Sequence, residues 1–210
     1  MKVGILNFGS GNFFKLQNLF CRLGHDVSVF DKGSVKSCDV LVLPGVGNYN
    51  FAIQNLQDKN FVNAIRSHIS SNLPTIGICL GMHLMFDASE EHDQLLGKKT
   101  IDISPFKVFE GMVENLKKTQ NASILPNICW SRVQFTDGGA FSEFDNQEFY
   151  FAHSYACVDF VRQKDDGVSY FKNTPFLSMR FQNNLLTTQF HPELSGQNGL
   201  SFVEHYLGIL

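Results

Sequence analysis

The chain reads as an α/β protein built on a doubly wound, mostly parallel, flavodoxin-like central sheet with antiparallel strands added to it. Three observations predict this. In the first half, short apolar runs alternate with segments whose apolar residues recur at helical spacing, the pattern of a parallel sheet with helical crossovers. From residue 100 onward the texture changes to short Phe- and Val-rich runs split by Asn, Asp and Gly, which reads as antiparallel sheet. Finally, the apolar run 75–78 passes through Cys79 into a helical pattern, placing a cysteine at a strand-to-helix turn.

Residues 2–7 read as a buried strand, followed by the turn Gly9-Ser10-Gly11-Asn12 and a helix carrying Phe13, Leu16, Leu19, Phe20 and Leu23 that stops at Gly24. The Gly-x-Gly lacks the third glycine that a dinucleotide site needs, so no cofactor is expected. Strands are predicted at 26–30 and 40–43. Pro44-Gly45-Val46-Gly47-Asn48 then forms a glycine-rich turn at the carboxyl end of a strand, where open α/β sheets place ligands. Glycines on both sides of Val46 would let a peptide N–H turn inward as an oxyanion donor; the alternative is a tight turn and nothing more. Helical patterns follow at 49–56 and 61–69, and Leu80, Leu84, Met85 and Phe86 read as the first turns of a helix behind Cys79. Residues 89–97 are charged and read as a surface loop. Strands are expected at 106–113, 132–135, 148–152, 156–161, 168–171, 176–181 and 185–190, with Gln182-Asn183-Asn184 as a hairpin turn. A helix at 199–207 closes the chain, with Leu200, Val203 and Leu207 on one face.

At 210 residues and 43% apolar content, the chain is long enough for one packed domain, 1–210, and short for two. A net charge of −3 with both signs interspersed, and no Lys/Arg run, argues against nucleic acid or a membrane surface as partner. No apolar run reaches membrane-spanning length and the N-terminal one is short for a signal peptide, so a cytoplasmic protein is expected. Five cysteines without C-x-x-C spacing fit reduced thiols, with neither a disulfide framework nor a metal site.

Gly77-Ile78-Cys79-Leu80-Gly81 is the thiol counterpart of the G-x-S-x-G elbow, in which missing side chains let the chain turn sharply and lift a nucleophile out of the sheet. The amides of a following helix and a nearby imidazolium would favour the thiolate. A buried structural cysteine at a strand end is the alternative. A base is offered by Gln189-Phe190-His191-Pro192-Glu193: proline holds His191 extended, so His191 and Glu193 point the same way and the carboxylate can hold one ring nitrogen. By chance such a tripeptide also occurs in surface turns. Together, however, an elbow cysteine and a distant His-x-Glu are what a Cys-His-Glu triad requires. Among the histidines at 25, 68, 92, 153 and 205, only His153, in Phe149-Tyr150-Phe151-Ala152-His153-Ser154-Tyr155, reads as a site residue.

These four motifs (residues 44–47, 77–82, 151–155 and 189–193), in this order and spacing, resemble the class I glutamine amidotransferases, and within them the glutaminase subunits of imidazole glycerol phosphate synthase, over nearly the whole chain. The resemblance implies Cys79 as nucleophile, His191 as base and Glu193 as its orienter, acting on the side-chain amide of glutamine through a glutamyl thioester. It implies an oxyanion held by the backbone amides of Val46, in the loop with Gly47, and Leu80. His153, Ser154 and Tyr155 would cradle glutamine, and His83 stands where the family has a substrate-contacting Gln. Ammonia would pass to a (β/α)8 cyclase subunit, the expected heterodimer partner, in histidine synthesis. Three departures accompany it: His83 itself, Leu194 in place of a Lys that pairs with the cyclase, and Pro126-Asn127-Ile128-Cys129-Trp130-Ser131 in place of Pro-His-Met-Gly-Trp-Asn. They leave two alternatives, a paralogous subunit feeding a surface-sugar amidotransferase and a weakly active or non-catalytic scaffold. An unrelated cysteine hydrolase on the same kind of sheet is a third.

Overall fold

The apolar runs of the first half form strands where their periodicity places them: β1 (Lys2–Leu6), β2 (Asp26–Phe30), β3 (Val40–Leu43) and β4 (Thr75–Ile78). The computed structural model describes residues 1–9, 11–32, 35, 38–91, 102–118 and 125–210. Every residue of β3 and β4 is buried, because helices cover both faces of the sheet. Alternate residues of β3 serve the two sides. Val40 and Val42 join Val3, Ile5, Ile76 and Ile78 in a core with helix α1 (Phe13–Arg22) and the C-terminal helix. Leu41 and Leu43 join a second core with α2 (Tyr49–Asp58) and α3 (Phe61–Ser70). Side chains of Asn12 and Asn48 cap α1 and α2 by accepting backbone N–H groups of their first turns, and Gly24 leaves α1 at φ +80°.

Beyond Cys79 the structure departs from the periodicity. The helix α4 is a single turn, Leu80–His83, and Phe86 begins a strand, β5 (Phe86–Ser89), rather than continuing a helix. The cause is non-local. The Leu84 carbonyl accepts from the Ser104 hydroxyl and the Met85 carbonyl accepts from the Val108 and Phe109 amides, so this segment is tied to residues 104–109 and drawn into sheet pairing. Nor is the start of the charged stretch at 89–97 a surface loop: Ser89 lies in β5 and Glu90 is buried, its carboxylate accepting from the Asn115 amide and from Lys118. Residues 92–97 lie outside the described residues.

β5 belongs to a four-stranded sheet in the order β10-β7-β5-β6, with β6 (Asp102–Ile103), β7 (Phe109–Asn115) and β10 (Tyr155–Cys157). The strand expected at 106–113 therefore starts later, and that at 156–161 is cut to three residues. The expected strand at 132–135 is displaced: β8 (Asn127–Arg132) pairs with β9 (Glu148–His153) as a separate antiparallel ribbon, while Gln134 makes an isolated bridge to Val168. The main sheet has the order β11-β12-β13-β4-β3-β1-β2, with β11 (Gly167–Phe171), β12 (Thr174–Gln182) and β13 (Leu185–Thr188). β12 and β13 form the expected hairpin, its Asn183 and Asn184 at φ 49° and 58° as a two-residue turn of this hand demands. β13, however, runs parallel to β4, so β13, β4, β3, β1 and β2 form a parallel ladder of five strands, to which β12 and then β11 are added by antiparallel pairing, leaving β12 as the one strand of this sheet that runs the other way. Helix α5 (Gly196–Gly208) closes the chain. No helix among the described residues is long and apolar enough to cross a membrane.

The order β13-β4-β3 sets the carboxyl ends of three neighbouring strands side by side, bringing together the 44–48 turn, Cys79 and residues 189–193. Packing here is tightest at the glycines. A Cβ on Gly81 would stand 2.1 Å from the Leu43 carbonyl oxygen, whereas one on Gly24 would meet nothing within 4 Å. Gly81→Ala is therefore expected to cost about 3 kcal/mol or more, and Gly24→Ala only the roughly 1 kcal/mol of its left-handed backbone. Urea unfolding of both variants checks the contrast; equal losses would contradict it.

Candidate active site

Cys79 occupies φ 51°, ψ −101°, a conformation that L-residues rarely adopt and that persists only where surrounding contacts enforce it. Those contacts come from both neighbouring strands. The Cys79 amide donates to the Thr188 carbonyl of β13 at 2.6 Å, and on the β3 side Gly45 lies so close that a Cβ there would be 2.4 Å from that of Leu80. The expected elbow is thus present, with one correction: a one-turn helix has no macrodipole to speak of, so the dipole expected behind the sulfur is missing.

The first of these is His191. Proline at 192 holds it extended at φ −100°, ψ 96°, and its amide donates to the Tyr150 carbonyl at 2.9 Å. The ring Nδ1 lies 2.8 Å from Oε1 of Glu193, with the two side chains 2% and 4% exposed. Ser195, which the motif did not single out, locks this turn: its hydroxyl donates to the His191 carbonyl and accepts from the Tyr150 amide. Nε2 is buried without a hydrogen bond to a neighbour at ordinary distance. Burial opposes a charge on this ring, but the Cys79 sulfur and the Glu193 carboxylate beside it prevail and raise its pKa to about 10. These two neighbours favour the imidazolium form of His191.

Two further histidines stay neutral. His83 has its Nε2 2.8 Å from Oε1 of Gln189, and Gln189 in turn donates its amide to the Cys79 sulfur at 3.5 Å. Burial pulls its pKa down to about 4, against the hydrogen bond to Gln189. His153 is held by its own ribbon, Nδ1 donating to the Tyr155 carbonyl at 2.9 Å and Nε2 accepting from the Asn127 amide at 3.0 Å. Burial lowers it to about 3, against the hydrogen bond to the Tyr155 carbonyl, and a proton on it would be repelled by the neighbouring imidazoles.

These groups surround a cavity of about 200 Å³. Val46, Gly47, Cys79, Leu80, His83, His153, Ser154 and Tyr155 all line it, so every predicted binding residue converges there, while His191 meets the Cys79 sulfur and Glu193 without itself lining the cavity. Glu91 lines it too, unforeseen because it lies in the charged stretch read as surface. Burial raises its carboxyl to about 7, in spite of a hydrogen bond from the Tyr49 amide. Among the described residues no group of three or more His, Cys, Asp and Glu side chains is placed to hold a metal ion.

A cysteine on a nucleophile elbow, beside an imidazole–carboxylate pair on a doubly wound sheet, defines a class of α/β protein equipped for acyl transfer from an amide. The class-I glutamine amidotransferase profile matches residues 5–205, and the chain belongs to that family. Its relatives include the imidazole glycerol phosphate synthase subunit HisH of Thermus thermophilus, 32% identical over 97% of this chain and 95% of that protein. The subunit HisH of Chlorobaculum tepidum is 34% identical over 97% of this chain and 98% of its own. The crystal structure of a glutamine amidotransferase shares the fold at a TM-score of 0.66 and 19% identity, over 97% of this chain and 98% of that one.

His83 holds a proton only below about pH 4 in the folded chain, against 6.5 for an ordinary histidine. Between those values unfolding takes up a proton, so its contribution to stability is complete above 6.5 and is lost as pH falls toward 4. In urea unfolding across this window, the wild type is expected to lose at least about 1 kcal/mol more than His83→Gln. Equal losses would mean that His83 is not buried in its neutral form.

Proposed function

We propose that this chain is the glutaminase subunit of an imidazole glycerol phosphate synthase, hydrolysing glutamine to glutamate and delivering ammonia to a cyclase subunit in histidine biosynthesis. The observation that carries the chemistry is the pairing of the strained elbow at Cys79 with His191, whose ring is held by Glu193 at 2.8 Å. Identity of 32% and 34% to HisH subunits, over nearly all of both chains, supports the assignment to this synthase. A complete set of catalytic groups favours an enzyme over a non-catalytic scaffold.

In this reading the Cys79 thiolate attacks the carboxamide carbon of glutamine, and the resulting oxyanion is received by the backbone amides of Val46 and Leu80. His191 gives its proton to the departing nitrogen, which leaves as ammonia, and a glutamyl thioester remains. Now neutral, His191 takes a proton from water as that water attacks the thioester, releasing glutamate and restoring the thiolate–imidazolium pair. Glu91 is suited to the α-ammonium of glutamine: it is desolvated and nearly neutral when empty, and a bound cation would return it to the carboxylate.

The cavity opens beside Val46, which is 49% exposed, and beside Ala152, whose partner across the ribbon is Ile128. Ile128 and Trp130 are exposed on the same face of β8, an apolar rim that a cyclase subunit would cover. We place that subunit, of (β/α)8 form, over this mouth, and the assembly in the cytoplasm.

With the cognate cyclase and its ligand present, Cys79→Ala is expected to lower glutamate release at least 10³-fold without loss of fold; retained activity would overturn the triad. Glu91→Gln is expected to raise KM for glutamine about tenfold with a smaller effect on kcat. An unchanged KM would remove Glu91 from the substrate site.

A further inference from the structure

Cys79 has a second polar neighbour that the mechanism above does not use. Gln189 is fully buried one residue beyond the end of β13, its backbone amide bonded to the Ser178 carbonyl at 2.8 Å. A buried primary amide can turn over and exchange its oxygen and nitrogen, and only one orientation puts a donor on the sulfur. His83 fixes that orientation. Its Nε2 lies 2.8 Å from Oε1 of Gln189, so with the ring proton on Nε2 that oxygen accepts it and the amide nitrogen is left to face Cys79 at 3.5 Å. The remaining nitrogen of His83, Nδ1, is buried without a partner, as expected for the tautomer that carries its proton on Nε2.

We infer that Gln189, oriented by His83, is a positioning residue that holds the Cys79 sulfur as a thiolate and aims it into the cavity. This rests on the reading of Cys79 as the nucleophile. An N–H donor stabilises a thiolate more than a thiol, so it shifts the ionisation of Cys79 toward the charged form. It also replaces what a longer helix would have supplied, since α4 is a single turn. The other titratable groups facing this sulfur or its cavity are His191 with Glu193 from the turn after β13, His83 from α4, His153 from β9, Tyr155 from β10, and Glu91 after β5. None of them is removed by a change at Gln189, but His83 loses its hydrogen bond with it, and a change at His83 itself separates the two effects.

The test is the pH profile of Cys79 alkylation by iodoacetamide on the full-length chain, read by peptide mass spectrometry so that the other four cysteines serve as internal references. It needs neither glutamine nor a partner subunit. Gln189→Met, which keeps the length and removes the donor, is expected to move the alkylation midpoint of Cys79 up by about one pH unit. Gln189→Glu, which keeps the acceptor for His83 and puts a carboxylate beside the sulfur, should move it further. His83→Leu, which frees the amide to turn over, should move it in the same direction by less. Thermal melting identifies any variant that does not fold, and either of the others then carries the test. A midpoint unchanged from wild type in a folded Gln189→Met or His83→Leu variant would overturn the inference. If instead wild-type Cys79 titrates no lower than the exposed Cys21, it is the thiolate of the proposed mechanism that fails, a different result from a low midpoint that the variants leave in place.

Discussion

The structure of this site depends on a close approach of backbone to backbone. Gly81 lies against the Leu43 carbonyl and Gly45 against Leu80, with no room for a Cβ at either, so the end of β4 is pressed onto the end of β3. On its other side the Cys79 amide is drawn to the Thr188 carbonyl of β13. A residue clamped from both sides has little freedom, and the strained φ and ψ of Cys79 follow from the clamp. Everything functional is referred to that frame: the 44–48 turn hangs from β3, the sulfur from β4, and Gln189, His191 and Glu193 from β13.

Electrostatics then divides three buried histidines into two kinds. His83, His153 and His191 have nearly equal burial, yet only His191 carries a charge. Desolvation penalises all three; the difference is that His191 alone has the carboxylate of Glu193 and the sulfur of Cys79 beside it. The other two meet neutral dipoles, Gln189 for His83 and the Tyr155 carbonyl with the Asn127 amide for His153. One fixed imidazolium next to two fixed neutral rings is a stable division, because a second positive charge in the same enclosure would be repelled by the first.

What the sequence disclosed is what local sterics and periodicity determine. Four consecutive buried residues in β3 and in β4, the paired asparagines of the hairpin turn and the geometry of His191 before a proline need no knowledge of the rest of the chain. The single-turn length of α4 was not legible, because it depends on Ser104, Val108 and Phe109 taking the Leu84 and Met85 carbonyls. The same holds for the β8–β9 ribbon, and for Glu91, which is buried by the cavity wall and not by anything in its own charged stretch. Gln189 left no such signal: it lies in a bend just past β13, and Glu193 lies in a 3-10 turn, Pro192–Leu194, so strand alternation aligns neither of them with His191. The partner of Gln189, His83, is 106 positions away, and only the parallel pairing of β13 with β4 joins them.

The account turns on one charge state, that of the imidazole facing Cys79. Long-range ¹H–¹⁵N correlation spectra of the histidine side chains, recorded from pH 6 to 10.5, measure it directly, with His191→Asn to assign the ring and Cys79→Ala to remove its sulfur partner. The structure predicts that His191 keeps both ring protons through neutral pH and loses one only near pH 10, and that its titration falls back toward 6.5 once the sulfur is gone. A ring that titrates near 6.5 in the wild type, unmoved by loss of the sulfur, would contradict the thiolate–imidazolium pair and the mechanism built on it.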